Sequence, residues 1–161
     1  MRLNAIDMGR VRAHSTGAAP IRIEPALHKD AGAIAKMECR EWHVSDPRYA
    51  FYTWVLDIRY RTVVKAVSGK RIVGFAAASP TADGRVYLDV AIVTKSYRRR
   101  GVARALLRSL LARSGDRKVV ALTWTANTAA ISLLESEGLV RGTHVGHLFG
   151  DPKRDYYEWV G

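Results

Sequence analysis

The chain has 161 residues, 48% of them hydrophobic and 25% charged, with a formal net charge of +11. That length suits one domain with a core of its own, and no apolar run reaches the roughly 18–20 residues that span a bilayer. A single cysteine, Cys39, excludes an internal disulfide and points to a reducing, cytoplasmic setting.

Residues 1–20 lack the continuous apolar stretch of a signal peptide and read as a flexible leader, leaving 21–161 as the domain. Ile21 to Glu24 alternates as a first strand does. His28 to His43 carries apolar residues at helical spacing, with Asp30 favourable in the first turn; Cys39 sits within it as a packed, passive thiol. Asp46 to Tyr60 is rich in aromatic residues (Tyr49, Phe51, Tyr52, Trp54, Tyr60) and is expected to hold a short helix or lid. Thr62 to Val67 and Arg71 to Ser79 are strands joined by a turn at Ser68-Gly69-Lys70. A further turn leads into a strand from Arg85 to Val93. After Gly101 an amphipathic helix presents Val102, Ala105, Leu106, Leu110 and Leu111 on one face. Lys118 to Trp124 is a strand and Asn127 to Glu137 a helix, with Gly138 placed for a left-handed cap. Strands from Leu139 to Phe149 and from Asp155 to Val160, around a Gly150-Asp151-Pro152 turn, close the chain. His144 and His147, three apart on a strand, point to opposite faces, so no metal site is expected.

Chemistry concentrates at Val90 to Ala103. A strand ends at Val93, a short turn follows, and Arg98-Arg99-Arg100-Gly101-Val102-Ala103 opens a helix. Successive amides in a tight turn, a helix N-terminus and flanking arginines make an anion cradle. Gly101 and Ala103 leave room for a phosphate to approach the main chain. Residues 95–118 hold nine basic residues and one acid, so most of the net charge flanks this cradle. Arg59, Arg61, Lys65, Lys70 and Arg71 form a second basic stretch without acids.

Arg98-x-x-Gly101-x-Ala103, followed 24 residues after Ala103 by Asn127-Thr128-Ala129-Ala130 and then Gly138-Leu139, resembles the paired motifs of the GCN5-related N-acetyltransferase (GNAT) superfamily. The resemblance covers residues 21–160. It implies an α+β domain (α/β/α) with a mixed, mostly antiparallel sheet, splayed between its fourth and fifth strands and flanked by helices. It implies acetyl-CoA as co-substrate. Main-chain groups of Ala91, Ile92 and Val93 would pair with the pantetheine arm. Amides of Arg98, Arg99, Arg100, Gly101, Val102 and Ala103 would hold the pyrophosphate. Asn127, with Ala130, would bind pantetheine or order the second motif. Trp42, His43, Tyr49 and Tyr52 fall in the region that shapes the acceptor pocket in the family.

The implied reaction is direct attack of a primary amine on the thioester. Its needs are positioning and deprotonation of the amine. Asp89 is the acid on the fourth strand, and strand alternation puts it on one face with Tyr87, Ala91 and Val93; it is the candidate base, against a plain salt-bridged aspartate. The family's tyrosine, seven residues after the motif asparagine, is here Leu134, which donates no proton. Tyr97, Tyr156, Tyr157 or a water would then protonate the leaving thiolate, Tyr157 being the candidate, or the thiolate leaves as it is. The acceptor implied is a small-molecule or peptidyl amine. The basic stretches and the aromatic segment raise nucleic acid or aminoacyl-tRNA instead, and Leu134 raises a non-catalytic acyl-CoA-binding module. The family also pairs through terminal strands, which implies a homodimer as one arrangement.

Overall fold

The computed structural model describes residues 19–42, 46–146 and 155–161. Most of the expected leader, His43, His147 and the turn at Gly150-Asp151-Pro152 lie outside these residues. In chain order the elements are β1 (Ile21–Pro25), α1 (Ala31–Trp42), α2 (Pro47–Tyr60), β2 (Thr62–Ser68), β3 (Arg71–Pro80), β4 (Val86–Val93), α3 (Val102–Ser114), β5 (Val119–Trp124), α4 (Thr128–Ser136), β6 (Val140–Val145) and β7 (Tyr156–Val160). The strands form one sheet in the order β1-β2-β3-β4-β5-β7-β6. Every neighbouring pair is antiparallel except β4 and β5.

Helices cover both faces of the sheet, which gives the α/β/α layering expected. On one side Ile34 and Met37 of α1 and Ala50 and Trp54 of α2 pack on Val63, Phe75, Ala77 and Ile92. Trp54 meets Phe75 edge to face at 4.9 Å between centroids, and its indole N–H donates to Glu38 Oε2 at 2.7 Å. The segment expected as a short helix or lid is thus a 14-residue helix. Its start follows from Asp46, whose side chain accepts from the Arg48 and Tyr49 amides, with Pro47 in the first turn.

On the other side Val102, Leu106, Leu107 and Leu110 of α3 and Leu134 of α4 pack on Val64, Ala76, Ala121 and Trp159. The buried face of α3 therefore includes Leu107, while Ala105 and Leu111 lie at its margin. Gly74 lets this helix seat closely. A Cβ there would meet the Ile92 carbonyl at 2.9 Å and Leu106 at 3.3 Å.

A buried ion pair fixes the approach to α1. Lys65 Nζ lies 2.7 Å from Asp30 Oδ2, and the Leu27 amide donates to the same oxygen at 2.8 Å. Burial alone would raise the Asp30 carboxyl, but the Lys65 ammonium and the Leu27 amide outweigh it and hold the group below its ordinary 3.8. Its stabilising contribution is therefore complete above that ordinary value and disappears as pH falls through the lowered one. Asp30→Ala should cost about 3 kcal/mol in urea denaturation at neutral pH, because it leaves the buried Lys65 ammonium only the more distant Glu24, 4.0 Å away. A loss below about 1 kcal/mol would show instead that water reaches the ammonium.

Candidate active site

Among the described residues, β4 and β5 pair only through Val86–Leu88 and Val119–Ala121. Beyond Leu88 the β5-facing edge of β4 is released, and Ala91 is exposed although its strand is central to the sheet. Ile92 is buried against α1 and α2, and Val93 packs on the α3 side. The opening runs directly into the turn before α3. There Arg99, the one non-glycine residue with positive φ among those described, stands at 61°, and Gly101 at 77°. Left-handed residues in such a turn aim their neighbouring amides inward. The helical ladder begins where the Ala105 amide reaches the Gly101 carbonyl at 3.0 Å. The amides of Val102, Ala103 and Arg104 accordingly have no acceptor within the helix, and they add the positive end of α3 to the turn.

The arginines divide into two groups. Arg98 is a strut, its Nε donating to the Val93 carbonyl at 2.9 Å and its Nη2 to Glu41 Oε2 at 2.6 Å. It ties the end of β4 to the end of α1, where Trp42 is exposed. Arg104 and Arg108 close on Glu137 at 3.0 and 2.7 Å, clasping α3 to α4. Arg99 and Arg100 keep no acidic partner among the described residues, and Arg100 lies over the Tyr97 ring at 5.3 Å. Two guanidiniums without an acidic partner thus stand at the turn. The second basic stretch loses two of its five charges, because Lys65 is buried on Asp30 and Arg61 is held between two aspartates, while Arg59, Lys70 and Arg71 stay exposed.

Asp89 stands at an irregularity in β4. Ala77 pairs with Val90 and Ala78 with Leu88, so Asp89 is the extra, bulged residue. The bulge overturns the expected alternation. Val86 and Leu88 face the α3 core while Val90 and Ile92 face the α1–α2 core, and Ala91 and Val93 end on the opposite face from Asp89. The Asp89 carboxylate turns instead towards α2. Its Oδ2 accepts from Ser79 Oγ at 2.6 Å and lies 3.5 Å from Arg61 Nη1. Oδ1 has no hydrogen-bond partner among the described residues. Burial raises this carboxyl above 3.8, with the Ser79 hydroxyl and then Arg61 opposing. Tyr87, on the same face, is raised by burial, then by Asp89 and Tyr156. Tyr87, Asp89 and Tyr156 thus share one electrostatic environment.

Asn127 caps α4, its side chain accepting from the Ala130 amide at 3.2 Å. A family model described as the acetyltransferase (GNAT) family matches residues 29–139, over two thirds of the chain. The chain belongs to the GNAT acetyltransferase family. No curated protein matches it by sequence. Three solved structures show how widely the fold is shared. The yncA protein of Salmonella typhimurium, with its cofactor acetyl-CoA, is 18% identical, with a TM-score of 0.73 over 88% of this chain and 92% of that one. NAA60 of Arabidopsis thaliana, in complex with a bisubstrate analogue, is 19% identical, with a TM-score of 0.72 over 88% and 97%. A ribosomal-protein-alanine N-acetyltransferase from Brucella melitensis is 20% identical, with a TM-score of 0.74 over 86% and 98%.

In this GNAT chain the remaining candidates fall in different places. Tyr157 lies on the α3–α4 face, with Arg141 over its ring at 4.6 Å, and so on the opposite side of the sheet from Asp89. Tyr49 and Tyr52 project to solvent from the first half of α2. The end of α2 turned to Asp89 carries Asp57 and, as its C-cap, Arg61, neither of which sequence reasoning assigned to the site. Their four-residue spacing was visible, but their approach to β4 was not. Leu134 is buried in the core beside Trp159. Leu134→Tyr should therefore lower stability by about 1–3 kcal/mol through overpacking, with no gain in thiol release; a gain would mean that the new hydroxyl reaches the slot.

Proposed function

We propose that this protein is an acetyl-CoA-dependent N-acetyltransferase that acetylates a primary amine of a small molecule or peptide. One observation carries the reading: a released edge of β4 leads straight into a left-handed turn and an unpaired helix N-terminus, so a slot ends in an anion cradle. Pantetheine would lie along Ala91–Val93, and the amides of Arg99–Arg104 would meet the pyrophosphate. Bound there, acetyl-CoA supplies the activated acyl group. The chain's own residues do the rest. The bulge at Asp89 leaves main-chain groups outside the ladder, where an N–H would meet developing oxyanion charge. Asp89 Oδ1 takes a proton from the incoming amine, directly or through a water. Tyr87, kept protonated by its surroundings, and Tyr156 wall the same face.

The test is a thermal shift with acetyl-CoA, followed by thiol release over a panel of primary amines. At acetyl-CoA a hundredfold above Kd the stabilisation should be about 2.7 kcal/mol. No shift at millimolar acetyl-CoA would remove the slot as its site.

A second reading, an aminoacyl-tRNA or other nucleic-acid acceptor, keeps one observation in its favour. Tyr49, Tyr52, Leu56 and Tyr60 are exposed along one side of α2 beside Arg48 and Arg59. Retention of tRNA that falls steeply with salt would support it.

A further inference from the structure

Asp89 does not stand alone on its face of the sheet. Arg61, at the end of α2, sits between two carboxylates: its Nε is 3.2 Å from Asp57 Oδ1 and its Nη1 is 3.5 Å from Asp89 Oδ2. Both aspartate side chains are mostly buried, at 12% and 16% exposure, while the arginine is 38% exposed. Two anions thus share one cation. The other groups facing Asp89 are Ser79 from β3 and Tyr87 from β4, with Tyr156 of β7 acting on Tyr87.

We propose that Arg61 and Asp57 are positioning residues that act through Asp89. The guanidinium and the Ser79 hydroxyl together pin Oδ2, which turns Oδ1 towards the acceptor. Asp57 draws off part of the guanidinium's charge and so keeps Asp89 basic enough to accept a proton. An exclusive Arg61–Asp89 pair would hold the carboxylate as a weak base. With no cation at all, two mostly buried carboxylates would repel and both would titrate higher. The shared arrangement lies between these extremes. Asp57 itself is raised by burial, lowered by Arg61 and raised by Asp89. The proposal rests on Asp89 being the base in the reading above.

The signs of the two perturbations are opposite, which makes the test sharp. Asp57→Asn removes a repelling charge and leaves Arg61 to Asp89 alone, so Asp89 should titrate about half to one pH unit lower. Arg61→Gln removes the cation, so Asp89 should titrate about one unit higher, and Arg61→Lys should bring it back towards wild type. Protein labelled at the aspartate carboxyl carbons reads this directly by NMR titration, the Asp89 resonance being the one lost in Asp89→Asn. It needs no acceptor. The acid limb of kcat/KM with the best amine from the panel should move in the same two directions, while KM for acetyl-CoA stays unchanged. A merely structural role would lower the rate at every pH without moving either titration.

An Asp89 titration that stays put in both variants, or moves the same way in both, overturns the proposal and leaves the base reading intact if Asp89→Asn is inactive. Wild-type turnover in Asp89→Asn overturns both.

Discussion

Gly101→Glu should abolish acetyl-CoA binding measurable by calorimetry. Two effects add. The residue occupies a left-handed conformation, φ 77°, which costs a side chain about 1–2 kcal/mol. The new carboxylate would also stand where the turn amides and the start of α3 would receive phosphate. Two unit charges about 5 Å apart at an effective dielectric near 20 repel by about 3 kcal/mol, so affinity should fall at least about a hundredfold. Gly101→Ala separates the terms, since it keeps the strain and omits the charge and should bind much closer to wild type. Unchanged affinity in the glutamate variant, with a wild-type circular dichroism spectrum, would remove the cradle.

The second large effect is expected at Asp89. Asp89→Asn keeps the size of the side chain and an acceptor for the Ser79 hydroxyl but takes up no proton. Turnover should drop by about 10²–10⁴ while acetyl-CoA affinity holds. Because burial raises this carboxyl above its ordinary value, the wild-type rate should fall as pH drops through the raised value and the carboxylate becomes protonated. The acid limb from this group should vanish in the variant. Normal turnover across pH would leave Asp89 as a structural acceptor for Ser79 and Arg61 only.

Element order and the turn that opens α3 were legible in the chain because both depend on local signals: periodicity, small residues at a turn, arginines at a helix start. The α2 boundary was legible as well, since Asp46-Pro47 is a strong start signal, but the aromatic content drew attention away from it. What escaped was set by register between strands. No local pattern marks Asp89 as a bulge; only its neighbours' pairing with Ala77 and Ala78 does. One extra residue there reverses which side chains share a face, so the expected set of Tyr87, Asp89, Ala91 and Val93 divides. The basic stretch from Arg59 to Arg71 loses Arg61 and Lys65 for a related reason. Charge counted along a chain says nothing of partners brought from other elements, and here Asp30 takes Lys65 while Asp89 and Asp57 take Arg61.

The short pairing of β4 with β5 has a further consequence. Three residue pairs join the β1–β4 block to the β5–β7–β6 block within the sheet. Backbone amides near that seam should therefore exchange with deuterium sooner than those at the centre of either block, where both edges are bonded. A ligand chain seated in the gap would act as a short extra strand between the blocks. Cofactor loading would then appear in exchange data as a slowing at the seam, where the molecule would otherwise divide into two opening units.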